Sequence, residues 1–283
     1  MDLSKKVKIL ENASDGKSEF EILEFEKLEG ASSPLMAMGL YFAREAGLKA
    51  RQIKIKLNNS SIKTEAGALY YYKGNISSET KIGGVGGLFK KGISGALTNE
   101  SMMKPVYKGT GEVYLEPSFR HYLFMSLDND SIIVDKGLFY CCSDTIEVKA
   151  FTQKNFSSAL LGGEGFFQIE LSGTGVIVLE CVVPQSEIVE YELKNGEELK
   201  VDGNFAIART SGVNFSVTKS DKSLIGSALN GEGFLNTFTG NGTVWLAPTQ
   251  VMYEKLSFGA MPTNDNMNNN CLLYTSDAAD DTP

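Results

Sequence analysis

Three glutamates, Glu100, Glu164 and Glu232, recur in near-identical settings, each flanked by small residues. Carboxylates brought to one place raise one another's pKa or attract a hard cation. A small-ligand or metal-binding module using these positions is therefore one expectation. The competing expectation is that each Glu makes a turn or pairs with a nearby Lys. The single histidine, His121, leaves room for one triad-type hydrolase site. It lies in the alternating stretch 119–127 beside Arg120, the setting of a partly exposed structural side chain. The cysteines are Cys141, Cys142, Cys181 and Cys271, and no C-x-x-C pair occurs. Neighbours on a strand point to opposite faces, so Cys141 and Cys142 cannot serve one ion without a bulge. They read as small buried hydrophobes with free thiols. No catalytic residue and no cofactor emerge, and the chain reads as a non-enzyme.

Within the glycine-rich run 83–95, residues 83–92 invite a nucleotide reading, which fails because no Ser or Thr follows Lys91 as a phosphate-binding loop requires. The run carries Leu88, Phe89 and Ile93 beside Lys90 and Lys91. Apolar tips next to cations suit the surface of an anionic bilayer. One expectation is a contact loop for a membrane or a membrane protein. The other is that the apolar side chains fold inward over a core.

The elements that must position these groups are written three times. Residues 99–117, 163–179 and 231–248 share a Glu, an alternating apolar segment and a G-x-G pair: Gly109/Gly111, Gly173/Gly175 and Gly240/Gly242. Val113, Ile177 and Val244 follow each pair, and then Leu115, Leu179 and Leu246. Upstream, Leu57-x-Asn59, Leu127-x-Asn129 and Leu193-x-Asn195 recur with the same period of about 68 residues. A unit that short buries too little surface alone, so the copies must pack on one another. The expected fold is all-β: three tandem β-sandwich-like repeats packed together, with at most one short helix near 34–46. There Ser33 could cap, Pro34 sits at the first helical position and Gly47 could end the helix. The divisions are a loose N-terminus at 1–19, repeats at 20–118, 119–183 and 184–256, and a disordered or artefactual tail at 257–283.

The chain has 283 residues, is 42% hydrophobic and carries a net charge of −8. That acidity argues against nucleic acid as the partner, since a phosphate-binding surface needs clustered Lys and Arg. No stretch approaches a membrane-spanning run, and the first residues lack the apolar segment of an export signal. A cytoplasmic protein with reduced thiols is expected. Exposed strand edges must be covered, and self-association is one device, so a homo-oligomer is expected, a trimer first.

Residues 40–72, 116–142, 160–180 and 201–209 resemble the family named for altered inheritance of mitochondria, member twenty-four. The resemblance covers roughly residues 20–256. It implies a fold similar to the tryptophan RNA-binding attenuation protein, with compact β-sandwich units repeated in one chain. It also implies trimeric assembly and, in mitochondria, an association with inner-membrane organisation. It carries no catalytic residues. The function read here is that of a non-enzymatic assembly or scaffold protein associated with a membrane. The alternatives are a ligand or metal module at the repeated glutamates and an RNA-binding ring by analogy of fold.

Overall fold

The structure is a computed structural model that describes residues 6–79, 104–151, 168–219 and 234–257. Its strands are β1 (Val7–Ser14), β2 (Ser18–Phe25), β3 (Arg51–Thr64), β4 (Leu69–Glu79), β5 (Val106–Leu115), β6 (His121–Asp135), β7 (Phe139–Ser143), β8 (Ile146–Phe151), β9 (Gln168–Cys181), β10 (Val189–Leu193), β11 (Glu198–Val201), β12 (Ala206–Thr210), β13 (Val213–Lys219), β14 (Phe234–Gly240) and β15 (Gly242–Leu246). Among the described residues, two α-helices, α1 (Pro34–Glu45) and α2 (Gln250–Ser257), accompany the strands. The fold is all-β, and the strand pairs are antiparallel.

Long strands bend where glycine pairs face asparagines. Leu57 lies opposite Gly111, Leu127 opposite Gly175 and Leu193 opposite Gly242. Two residues after each Leu, Asn59, Asn129 and Asn195 take positive φ angles of 48°, 52° and 55°. Asparagine tolerates that left-handed backbone better than most residues. The Thr between the glycines secures the bend: Asn59 N–H donates to Thr110 Oγ1 at 3.0 Å and Asn129 N–H to Thr174 Oγ1 at 2.8 Å.

Because β3, β5, β6 and β9 bend, their two halves enter different layers. The first layer holds β1, β2 and the halves of β3 and β5 that meet at Lys54 and Tyr114. In the second, the far half of β3 pairs with β7, which leads to β9 and β6. The third runs from β8 through the other halves of β9 and β6 to β12, β15 and β10. The fourth is the separate sheet β11-β14-β13.

Three apolar cores fill the spaces between layers. Phe20, Ile55, Val113 and Leu115 meet Tyr140, Cys141 and Val178 in the first. Leu123, Cys142, Ile177 and Leu179 meet Ile132, Ile169 and Ile207 in the second. Val244 and Leu246 meet Val201, Phe215 and Phe238 in the third. Cys141 and Cys142 thus enter different cores, as neighbours on a strand must. Val113, Ile177 and Val244 are each 0% exposed and Leu115, Leu179 and Leu246 at most 6%.

The chain departs from the sequence reading in two places. Residues 1–19, read as loose, hold β1, because the Asp15-Gly16-Lys17 turn folds it back on β2. There Asp15 Oδ1 accepts from the N–H groups of Lys17 and Ser18, and Gly16 takes φ +88°. The second helix, α2, lies beyond the single helix read near 34–46. Its Tyr253 hydroxyl donates to Glu187 at 2.9 Å, so a distant carboxylate holds it in place.

Candidate functional site

The residues singled out by sequence divide sharply. Glu100, Glu164 and Glu232 lie outside the described residues, as do Leu88, Phe89, Lys90, Lys91 and Ile93. Among the described residues, no group of three or more His, Cys, Asp or Glu could hold a metal ion.

His121 is held by Arg51, whose Nη1 donates to Nδ1 at 3.2 Å. Burial and the Arg51 charge push its pKa down, against the opposing pull of Glu187 and Glu24. A neutral imidazole that spends Nδ1 on a guanidinium is a structural fixture. The three described cysteines are buried and free. Burial pushes Cys142 and Cys181 up to about 12 and Cys141 well above its ordinary value. Thiols so placed are poor nucleophiles. In the native state Cys141, Cys142 and Cys181 should resist iodoacetamide at pH 8 for hours and react at once in denaturant. Fast native labelling of these three, read by peptide mass spectrometry, would contradict the buried geometry.

Two clefts lie at opposite ends of the layers. At the bend end, a cleft of about 740 Å³ is lined by Ser14, Asp15, Ser60, Asp144, Thr145 and Thr174. Its acids are engaged: Asp15 accepts from Ser143 Oγ at 2.5 Å and Asp144 from Ser61 Oγ at 2.7 Å. Burial pushes the Asp15 carboxyl up, but hydrogen bonds from Ser143, Ser18 and Lys17 outweigh it and hold the pKa down. Its contribution to stability is thus present at neutral pH and lost as pH falls through the depressed value.

At the other end sits α1. Ser33 Oγ accepts from Met36 N–H at 3.2 Å, and Pro34 supplies a preset φ at the first helical position. Gly47, at φ +71°, ends the helix, and Leu48 N–H closes on Ala43 O at 2.8 Å. The local signals in the sequence are therefore obeyed. Burial is the surprise, for no residue of α1 is buried. Leu35 is 73% and Phe42 62% exposed, with Met36, Met38 and Tyr41 also exposed. A helix this apolar ordinarily lies inside a protein. Leu28, Leu48 and Phe119 extend the exposed patch, and a cleft of about 230 Å³ separates α1 from the strand ends. Arg44, Lys27 and Lys49 stand at its border with Glu26 and Glu29; Lys27 pairs with Glu29 at 2.9 Å and Arg44 with Glu45 at 3.0 Å. α2 shares this end through Glu187, which His121 senses and Tyr253 binds, and it exposes Met252 and Leu256. Contiguous exposed apolar area of this kind marks an interaction surface. The contact loop expected at 83–95 lies outside the described residues. The signal that sequence reasoning passed over was the run Leu35–Phe42, apolar on every side of the helix.

Fold and site together define an all-β, layered protein whose described surface presents an exposed apolar helix at one end. The chain belongs to the Mitochondrial biogenesis AIM24 family, whose model matches residues 44–249. It is similar to an uncharacterised protein of Streptococcus pyogenes serotype M6, with 22% identity over 215 residues, 72% of this chain and 84% of that protein. An X-ray crystal structure of a Streptococcus pyogenes protein superposes with a TM-score of 0.52 at 19% identity, covering 75% of this chain and 94% of that one. At that identity the likeness speaks for the fold alone.

Proposed function

We propose that the protein is a non-enzymatic assembly module of the cytoplasm that docks on a membrane surface through its helical end. One observation carries this reading: α1 is capped at both ends and exposes Leu35, Met36, Met38, Tyr41 and Phe42 to solvent. Fully burying a Leu or Phe side chain is favourable by about 1.5–3 kcal/mol. An apolar helix face edged with charged side chains lies well in the boundary between headgroups and acyl chains. Among the described residues, no helix is long and apolar enough to cross a membrane, so contact through α1 would be peripheral. The engaged His121 and the buried thiols support a role without catalysis.

The test is flotation with phosphatidylcholine vesicles containing phosphatidylglycerol. Wild-type protein is expected to float. Leu35→Ser with Phe42→Ser should reduce bound protein about tenfold, since two lost apolar anchors are worth at least 1.4 kcal/mol. These side chains pack in no core, so the circular dichroism melt should be unchanged. Binding that survives the double substitution, or wild-type protein that never floats, removes α1 as the docking element.

A further inference from the structure

The two sides of α1 differ. Leu35, Met36, Met38 and Phe42 are exposed, whereas Leu40 and Ala43 are the half-buried residues of the helix. Ala37, Leu40, Ala43 and Arg44 follow one another at spacings of three and four, so they share a stripe. That stripe lines the cleft of about 230 Å³ beneath the helix. Phe25, Leu28, Leu48, Ala50 and Phe119, from strand ends and connections, line it as well.

Two apolar walls therefore stand apart with space between them, and both are fixed. Phe25 N–H donates to Ala50 O at 2.9 Å, which ties β2 to the start of β3 along one wall. Ser33 caps α1 at one end, and at the other Leu48 N–H donates to Ala43 O at 2.8 Å, joining the helix to the opposite wall. Side chains that line an unfilled gap lose the dispersion contacts a neighbour would supply.

Size and polarity select the occupant of such a space. One turn of an α-helix, about 5.4 Å long and 10 Å across, fills on the order of 400 Å³, so a partner's helix does not enter. An apolar cavity of about 150 Å³ holds benzene, and on that scale the cleft takes a hydrocarbon of about nine carbons. Apolar side chains supply most of the lining, and a sugar or nucleotide placed there would lose hydrogen bonds to water that such walls cannot replace.

The charged side chains around the cleft point to the head group. Glu29 is taken by Lys6 at 3.2 Å and by Lys27 at 2.9 Å, and Arg44 pairs with its neighbour Glu45 at 3.0 Å. Lys49 Nζ donates to the backbone carbonyl of Glu26 at 2.7 Å and, among the described residues, forms no ion pair. An ammonium carries three donors, so Lys49 keeps two for a ligand. Set against Glu26, Glu29 and Glu45 are Lys6, Lys27, Arg44 and Lys49, a surplus of one cation. A ligand with a single negative charge balances it.

We infer that the cleft beneath α1 is a binding site for one free medium-chain fatty acid, about eight to ten carbons long. The alkyl chain lies between the helix stripe and the wall of Phe25, Leu28 and Phe119, and the carboxylate meets Lys49. The site goes beyond the membrane reading above, because it uses the inward stripe of α1 and leaves Leu35 and Phe42 free. A bound chain supplies the packing between helix and body that α1 otherwise lacks.

The test uses the full chain, freed of lipid on a hydrophobic resin. Calorimetric titration with hexanoate, octanoate, decanoate and dodecanoate, each below its micellar concentration, should show one site per chain. Affinity should rise about fourfold per methylene and level off near about ten carbons. Ala43→Phe grows a ring into the cleft from a helix that lies outside the cores. It should weaken decanoate about tenfold or more with an unchanged circular dichroism melt. Ala37→Phe fills the same stripe two turns earlier, so a folding defect in one variant leaves the other to decide. Lys49→Met should weaken decanoate about fivefold and leave decan-1-ol unchanged. Leu35→Ser with Phe42→Ser should keep decanoate binding, because those side chains point away from the cleft. The inference is overturned by a wild type without saturable decanoate binding, or by affinity that climbs with chain length without levelling. Filled variants that bind as the wild type does, or loss of decanoate by the Leu35→Ser, Phe42→Ser protein, overturn it too. Decanoate binding without flotation keeps the cleft and removes the docking; flotation without decanoate binding does the reverse.

Discussion

Leu179→Ala is expected to lower stability by about 3–5 kcal/mol and the Tm by on the order of 10 °C. Leu179 is 0% exposed in the second core, opposite Leu123 on one neighbouring strand and Phe139 on the other. Its layer is covered on both faces, since Val178 beside it enters the first core. Neighbours pinned from two sides collapse poorly into a cavity, which puts the cost toward the upper part of the range for such truncations. Leu35→Ala is the control. With 73% of Leu35 exposed, it should change stability by no more than about 0.5 kcal/mol. Urea unfolding followed by circular dichroism measures both. A loss below about 1 kcal/mol at Leu179 would be incompatible with a packed inner layer.

Gly109→Ala should be nearly as damaging, at about 3–4 kcal/mol. A methyl group at Gly109 would meet Asn75 O at 2.0 Å, and the neighbour is backbone that cannot swing aside. The φ of +147° adds strain for any residue with a Cβ. Gly111 repeats the problem, with Lys73 O at 2.2 Å. The opposite sign is expected at Gly39 in α1, where nothing lies within 4 Å of an added methyl. There Gly39→Ala should strengthen the helix by about 1 kcal/mol. Comparing the two melts separates close backbone approach from ordinary glycine flexibility. Equal effects would show that the bend at Gly109 needs no glycine.

Much of the fold is legible in the chain because local rules and tertiary structure agree. Alternation of apolar residues gives strands, since one face of each must find a core. The G-x-G pairs and their partner asparagines mark the bends, since only such residues accept the required backbone at low cost. Ser33, Pro34 and Gly47 bound α1 for the same local reasons. Opposite facing of Cys141 and Cys142 follows from the strand period alone. β1 was missed because its burial pattern is mostly exposed and its apolar residues do not alternate cleanly; pairing with β2 makes it a strand. α2 was missed because its anchor, Glu187, is remote in sequence.

Strand content, the buried Val/Ile and Leu series and the capped helix are written locally in the chain, because each depends on backbone preference or period over a few residues. The face-to-face stacking of the layers, with adjacent residues of one strand serving two cores, emerges from packing across the chain. That packing decided that α1 stays outside while equally apolar strands go in. It also decided which strand edges pair among the described residues. The physical reason is that covering a face or an edge depends on what else the chain brings there. No local pattern of hydrophobicity or charge records that.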